Sequence, residues 1–302
     1  MPFEPSLVHT PLTPFAGDRR IDFDLYGRMI DFHVRHGAHS LAVPMHVGES
    51  VSLTDGERRA LLKFAVERAG NVPVIAHVSD AGTGIAAVLA RHAQDVGAAA
   101  VIATTPYYWA PPPAMILEHF FQIGSAVEIP FLVFNAPEDM AGSKINAALA
   151  LKLIDKLPNF AGVVDSSLDW QFMIELMTDT ARVRPDFALL AGTELLVSAS
   201  AIGARGMFSA LGIIAPVLMH RLFDLCRTQK LFEARAPQEE AAALRQIVKS
   251  GGVATLKAAA RALGRDCGDP RPPILPLDAA AEKQLEIAFN SMPVLSREPH
   301  GW

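Results

Sequence analysis

The hydrophobic pattern of the chain alternates between short apolar segments and longer segments in which apolar residues recur every three or four positions. The short segments are almost wholly apolar, as expected of strands in a parallel sheet that is covered on both faces. Glycine, proline or polar residues bound each of them. The pattern predicts eight strands: Leu7 to Leu12, Ser40 to Pro44, Val72 to Val78, Ala99 to Thr104, Pro130 to Phe134, Ala161 to Val164, Phe187 to Ala191 and Gly206 to Ala210.

The longer segments have the periodicity of amphipathic helices. Thr54 and Glu57 have the spacing of a capping box, and Gly37, Gly97 and Gly203 stand where helices are expected to end. The predicted helices between strands are Asp22 to His36, Thr54 to Ala69, Thr83 to Val96, Ala114 to Val127, Ala147 to Leu157 and Gln171 to Asp179.

Regular alternation of strand and helix predicts a closed (β/α)8 barrel, an α/β fold, and leaves a doubly wound open sheet as the alternative. From about Leu222 the pattern is helical throughout, apart from a proline-rich turn at Pro270 to Pro273. We therefore predict a barrel over residues 1–222 and a C-terminal helical domain over residues 223–302.

Composition narrows the class of protein. With 27 basic and 32 acidic side chains the formal net charge is −5, which argues against nucleic acid or an anionic membrane as a partner. The longest apolar stretch, Gly206 to Met219, is shorter than the ~18 residues needed to cross a bilayer, and the N-terminus has no secretory pattern. Cys226 and Cys267 form no disulfide or zinc pattern, so we expect a cytoplasmic protein.

Polar side chains follow most of the predicted strands, where barrel enzymes place their active sites. No glycine-rich phosphate loop occurs, and we assign no cofactor and no metal. The strand-end set is His9, Thr13, His46, Glu49, His77, Asp80, Tyr107, Tyr108, Asn135, Asp165, Ser166, Ser167, Thr193 and Glu194.

Several motifs at these positions are shared with one family. The chain resembles the dihydrodipicolinate synthase and N-acetylneuraminate lyase family of class I aldolases over essentially its whole length. The matching segments are Thr13-Pro14-Phe15, Gly48-Glu49-Ser50, Pro106-Tyr107-Tyr108, Asn135-Ala136-Pro137, Gly203-Ala204-Arg205-Gly206 with Ser209, Leu256-Lys257-Ala258-Ala259 and Arg271-Pro272-Pro273.

The resemblance implies a (β/α)8 barrel, a homotetramer built from two tight dimers, and pyruvate bound as an imine to a lysine on the sixth strand. The family segment with that lysine aligns without a gap on Gly162 to Ser167, which places Val164 at the lysine position. An alkyl side chain has no amine, so imine formation from this position is chemically excluded.

Other family positions are also replaced. The proton-relay tyrosine becomes Phe134, the two signature threonines become His46 and Val47, and Glu138 and Asp139 stand where many members carry an arginine for the substrate carboxylate. Tyr108, which in the family reaches into the neighbouring subunit's site, is retained.

These replacements lead to two hypotheses. The first is a lyase, forming or breaking carbon–carbon or carbon–oxygen bonds in a small 2-oxo acid or related carbonyl compound, without the lysine imine; the second is an inactive homologue that serves as a metabolite-binding or regulatory subunit. For the first we assign His46 and Tyr108 as catalytic residues that handle protons. The predicted substrate-binding residues are Val47, Gly48, Glu49, Phe134, Val164, Ser166, Thr193 and Ser209.

Some of these residues have alternative interpretations. Glu49 and Asp165 fit family patterns in which an acid holds a loop, and Lys257 fits a structural helix position. His9, His46 and His77 leave open a metal site, with Asp80, Asp165 or Glu194 as an oxygen ligand. Lys144 is the lysine nearest the lost one, and we expect it to be solvated.

Overall fold

The computed structural model of the protein describes residues 3–136, 142–249 and 251–302. Within them, eight parallel strands close into a barrel in chain order, which confirms the predicted fold class. The strands are β1 (Leu7–His9), β2 (Ser40–Val43), β3 (Val74–His77), β4 (Ala100–Thr104), β5 (Phe131–Asn135), β6 (Phe160–Asp165), β7 (Ala188–Ala191) and β8 (Gly206–Ser209).

Among the described residues, an α-helix follows each strand, and three further α-helices lie in the C-terminal region. The helices after the strands are α1 (Phe23–Arg35), α2 (Asp55–Ala69), α3 (Thr83–Asp95), α4 (Pro113–Ser125), α5 (Ala147–Lys156), α6 (Trp170–Val183), α7 (Leu196–Ile202) and α8 (Pro216–Arg227). The C-terminal helices are α9 (Arg235–Lys249), α10 (Gly252–Ala262) and α11 (Ala279–Asn290).

Local sequence signals explain where several elements begin and end. The predicted capping box of α2 is present. The hydroxyl of Thr54 accepts the backbone N–H of Glu57, and the carboxylate of Glu57 accepts the backbone N–H of Thr54. Gly203 ends α7 with φ 117°, a left-handed conformation that glycine adopts without strain. Strand β1 stops at His9 rather than at the predicted Leu12, since Pro11 has no N–H to donate to a neighbouring strand.

The register of the central strands determines which side chains share a face. Phe131 of β5 packs against Phe120 of α4, with ring centroids 6.0 Å apart, so Phe131 faces the helices. Successive strand residues point to opposite faces, which turns Phe134 toward the barrel interior. Phe134 pairs with Thr104 on one side and with Val164 on the other.

Contacts divide the chain into two compact units. The first comprises residues Met1–Ser6 and Val74–Phe208, and the second comprises Leu7–Pro73 and Ser209–Trp302. The predicted boundary between residues 222 and 223 stays a prediction; residue 222 lies within the continuous helix α8. In the part of the chain that the structure describes, no helix combines the length and apolarity needed to cross a membrane.

Candidate functional site

The interior-facing residues at the ends of the central strands in the first unit form an uncharged layer. Val164 is fully buried in register with Phe134 on one side and Leu190 on the other, and Thr104 pairs with Phe134. We call Thr104, Phe134, Val164 and Leu190 the strand-end layer. Its members are uncharged, and the predicted ligand contacts Phe134 and Val164 adjoin each other within it.

A histidine and a serine on β3 adjoin this layer. His77 pairs with Ile102, two residues before Thr104, so His77 points to the same interior face. The Nε2 atom of His77 lies 2.7 Å from Ser79 Oγ, which in turn accepts the backbone N–H of Thr104 at 2.8 Å. Both side chains are buried.

Asp165 lies on the opposite face of β6 from Val164 and is held by neutral donors. Its carboxylate accepts hydrogen bonds from Asn135 Nδ2 at 2.5 Å and from the backbone N–H and hydroxyl of Ser167. Burial raises the pKa of Asp165 to about 6, because these uncharged donors offset only part of the lost hydration. Asn135 Oδ1 also accepts the N–H of Ile145, so the cluster ties β6 to the segment before α5.

The predicted contacts Ser166 and Thr193 follow β6 and β7. Ser166 donates its hydroxyl proton to the carbonyl oxygen of Gly192 at 3.2 Å, and Thr193 is buried. These bonds join the ends of two neighbouring strands. A contact between either hydroxyl and a ligand stays a prediction.

Tyr108 is 96% exposed and has φ 81°, the left-handed region that non-glycine residues seldom adopt. Exposure of a whole aromatic ring with a strained backbone is a feature that binding surfaces commonly show. Glu138 and Asp139, predicted to replace the carboxylate-binding arginine, lie outside the described residues.

In the second unit, Glu49 is the centre of a buried ionic cluster. Its Oε1 atom lies 2.8 Å from Lys257 Nζ, both side chains being almost fully buried, and its Oε2 atom accepts the backbone N–H of Arg271 at 2.7 Å. The guanidinium of Arg271 binds both oxygens of Glu57, at 2.6 and 2.9 Å. We call Glu49, Glu57, Lys257 and Arg271 the Glu49 cluster; it ties the segment after β2 to the C-terminal region.

The other predicted residues of the second unit lie around short turns. His46, Val47 and Gly48 form a 3-10 turn after β2, in which Val47 is buried and His46 half-buried. The hydroxyl of Thr13 donates to the carbonyl of Gly48 at 2.6 Å. Ser209 is buried, and its carbonyl accepts both the N–H and the hydroxyl of Thr10.

His9 forms a fully buried pair with His33 of α1. Their Nδ1 atoms lie 3.0 Å apart, and neither Nε2 atom has a hydrogen-bond partner within the part of the chain that the structure describes. Burial lowers the pKa of His9 to about 3 and holds that of His33 well below its ordinary range, so both rings are neutral at pH 7. No group of three His, Cys, Asp or Glu side chains able to hold a metal ion occurs among residues 3–136, 142–249 and 251–302.

A cavity of about 470 Å³ in the second unit lies between α10, α11 and the final turn. Leu285, Phe289 and Leu295 line its apolar part, and Arg261 stands beside them. The residues that line it include none of the predicted site residues.

Comparison with known proteins decides the family. A family model described as the dihydrodipicolinate synthetase family matches residues 5–291. The chain belongs to the dihydrodipicolinate synthetase family. This family member is 30% identical over 287 residues to a 4-hydroxy-tetrahydrodipicolinate synthase of Caldicellulosiruptor saccharolyticus, covering 93% of each chain. It is also 30% identical over 294 residues to the enzyme of the same name from Methanopyrus kandleri, covering 96% of each.

Solved structures agree with the fold. The structure of dihydrodipicolinate synthase from Aquifex aeolicus matches this family member with a TM-score of 0.90 and 25% identity, covering 97% of this chain and 99% of that one. A chloride-inhibited dihydrodipicolinate synthase from Acinetobacter baumannii, complexed with pyruvate, matches with a TM-score of 0.89 and 23% identity, covering 96% and 99%.

The sequence did not predict the hydrogen-bond and ion-pair partners of several strand-end residues. Three pairs were not predicted: His77 with Ser79, His9 with His33, and Glu49 with Lys257. Ser79 lies outside the recognised motifs, and the other two pairs join residues far apart in the chain. One signal was available for Ser79: it follows His77 by two residues, which puts both side chains on one face. Lys144 is 52% exposed and 3.7 Å from Asp169, in line with the expected solvated position.

Proposed function

We propose that this protein is a lyase of the dihydrodipicolinate synthetase family that acts on a small 2-oxo acid or related carbonyl compound without a lysine imine. The observation that carries the proposal is the strand-end layer, in which the isopropyl group of Val164 and the ring of Phe134 lie side by side at the interior end of the barrel. Neither side chain carries a nucleophile or an exchangeable proton. A 2-oxo acid held against them is therefore bound by non-covalent contacts.

Two residues are proposed to handle protons. An imidazole can serve both as a proton donor and as a proton acceptor, which suits half-buried His46 to acid–base work. Tyr108 supplies a phenol hydroxyl as a proton donor. The ligand contacts are proposed to come from Val47, Gly48, Glu49, Phe134, Val164, Ser166, Thr193 and Ser209.

The proposal extends to assembly and location. The exposed ring and strained backbone of Tyr108 support a homo-oligomer, a dimer of dimers, in which the tyrosine is covered by a neighbouring subunit. We place the protein in the cytoplasm. Native mass spectrometry of the wild type and of Tyr108→Ala checks the oligomer: the wild type is expected as a tetramer and the variant as smaller species.

Trapping with borohydride tests the absence of an imine. The wild type is incubated with pyruvate and borohydride and its intact mass is measured, beside a family enzyme that retains the lysine. We expect labelling of the lysine-bearing enzyme only, whereas a reduced adduct on the wild type would contradict the proposal and peptide mapping would name the lysine. Val164→Lys is expected to gain the reduced adduct. Val164→Met is its matched control, because methionine is similar in length to lysine but has no amine.

The uncharged strand-end layer also favours a second candidate, an inactive homologue that binds a metabolite or serves as a regulatory subunit. A panel of 2-oxo acids assayed by NMR separates the two. Turnover that falls in His46→Ala supports the enzyme, whereas binding without turnover, together with hetero-oligomers formed with a lysine-bearing paralogue, supports the second candidate.

A further inference from the structure

His77 and Ser79 form a buried pair on the interior side of β3, next to the strand-end layer. Neither residue belongs to the proton-handling pair of the proposed function. We infer that Ser79 and His77 are a further proton-transfer pair of the site, which removes the C3 proton of a bound 2-oxo acid. The inference rests on the proposed function, and the experiments below separate its failure from the failure of that function.

The first argument is the location of the pair. His77 is the last residue of β3, and Ser79 follows two residues later, at the barrel end where active sites are built. His77 pairs with Ile102, and Ser79 bonds to the N–H of Thr104, so the pair lies on the same face as Val164 and Phe134. The bond to Thr104 fixes Ser79 against the strand-end layer itself.

The second argument is the geometry of the bonds. Thr104 N–H donates to Ser79 Oγ at 2.8 Å, and Ser79 Oγ lies 2.7 Å from His77 Nε2. A serine hydroxyl 2.7 Å from an imidazole nitrogen is the arrangement in which histidine accepts the hydroxyl proton. The N–H of Thr104, aimed at the same oxygen, stabilises negative charge that develops there.

The proposed step balances without a cofactor. Ser79 Oγ takes a proton from C3 of the 2-oxo acid while its own proton moves to His77 Nε2. The electrons of the C–H bond form the C2–C3 double bond, and the carbonyl electron pair moves onto the oxo oxygen. The products are the enolate of the oxo acid and a protonated His77, and return of the proton restores both.

A purely structural interpretation accounts for fewer of these features. Thr180, another buried hydroxyl of the same unit, donates to the carbonyl of Leu176 one helical turn earlier, which satisfies the hydroxyl without any titratable group. Ser79 is instead placed between a backbone donor and an imidazole. Thr180 therefore provides the control for loss of a buried hydroxyl.

The tautomer of His77 is the first test, because it is read on the resting protein. The mechanism requires Ser79 Oγ–H to donate to Nε2, which leaves the ring proton on Nδ1. Long-range ¹H–¹⁵N NMR of the wild type, assigned with His77→Asn, is expected to show the Nδ1–H form, and Ser79→Ala is expected to shift the Nε2 resonance. A proton on Nε2 in the wild type overturns the inference.

Exchange of the C3 protons of pyruvate in D₂O is the second test, followed by ¹H NMR. We expect the wild type to catalyse exchange, Ser79→Ala and His77→Asn to slow it by about 100-fold, and Thr180→Val to leave it unchanged. Ser79→Cys, which keeps an acceptor and a proton, is expected to retain part of the rate, and circular dichroism confirms that each variant is folded.

The outcomes separate the two proposals. Wild-type exchange that persists in both Ser79→Ala and His77→Asn overturns the inference and leaves the proposed function standing. No exchange and no binding of any 2-oxo acid by the wild type overturns the proposed function, and the C3 proton transfer falls with it.

Discussion

Two buried carboxylates, Glu49 and Asp165, each lie close to the end of a strand and differ in what surrounds them. Glu49 has a lysine ammonium at 2.8 Å and the backbone N–H of Arg271 at 2.7 Å. Asp165 has only neutral donors, from Asn135 and Ser167. The same chemical group therefore belongs to an ion pair in one unit and to a neutral hydrogen-bond cluster in the other.

The difference shows how burial acts on an ionisable group. A buried charge is tolerated where an opposite charge and hydrogen bonds replace its hydration, as around Glu49. Where only neutral donors are present, the group moves toward its uncharged form, as the pKa of about 6 for Asp165 shows. The pair of His9 and His33 follows the same rule for bases, since burial without a counter-charge lowers the pKa of each ring.

Removing the counter-charge of Glu49 is expected to have the largest effect. Lys257→Met leaves a buried carboxylate without its ammonium and is expected to lower the free energy of unfolding by about 3–5 kcal/mol. Urea denaturation measures the change. The double variant Glu49→Gln, Lys257→Met removes both charges and is expected to recover part of the loss; equal stability of Lys257→Met and the wild type would show that Glu49 does not depend on Lys257.

The next largest effect is expected on acidification, which lowers the free energy of unfolding through His9 and His33. Their pKa values are lowered on folding, so the unfolded state binds more protons, and stability falls as pH drops below the unfolded value of 6.5. Between about pH 6.5 and pH 5 the loss from His9 alone is about 2 kcal/mol, since one pKa unit corresponds to ~1.4 kcal/mol.

Urea denaturation over that pH range checks this, with His9→Leu, His33→Leu as the matched double variant. Replacing both partners by apolar side chains leaves no buried donor or acceptor unpaired. The variant is expected to lose less stability than the wild type on acidification, and parallel pH profiles would contradict the prediction.

Asp165 is expected to have the opposite effect on stability, which it increases at low pH rather than at high pH. Its pKa is raised from 3.8 to about 6 on folding, so the native state binds more protons, and stability falls as pH rises between those values. Asp165→Asn cannot ionise. The unfolding free energy of the wild type minus that of this variant is expected to fall by about 2 kcal/mol from about pH 4 to pH 6; a constant difference would show that folding does not raise the pKa of Asp165.

The smallest effect on stability is expected at the partly buried pair of Arg271 and Glu57 in the Glu49 cluster. Arg271→Lys keeps the charge and loses the two-point contact with Glu57, because an ammonium cannot match both carboxylate oxygens. We expect a loss of about 1 kcal/mol in the free energy of unfolding. Arg271→Ala, as the reference, also loses the packing of the guanidinium on Phe15 and is expected to lose more.

Much of the fold could be predicted because its signals are local. Each of the eight strands lies at a predicted apolar segment, and the capping box of Thr54 and Glu57 and the glycine end of α7 are where the pattern placed them. Strand ends were less predictable. The apolar pattern continues to Leu12, whereas β1 ends at His9, because Pro11 has no N–H to donate to a neighbouring strand. The candidate site was predicted as a list of strand-end residues, without their partners.

The sequence by itself determined that the chain alternates strand and helix, that position 164 carries no amine, and that the net charge is negative, because composition and periodicity are properties of the chain alone. Only the tertiary structure decided that His77 joins Ser79, that His9 pairs with His33, and that Lys257 provides the counter-charge of Glu49. The first contact joins residues two positions apart and depends on the path of the backbone after β3, whereas the other two join residues 24 and 208 positions apart in the chain. The approach of such distant residues comes from the packing of whole elements, which no local pattern specifies.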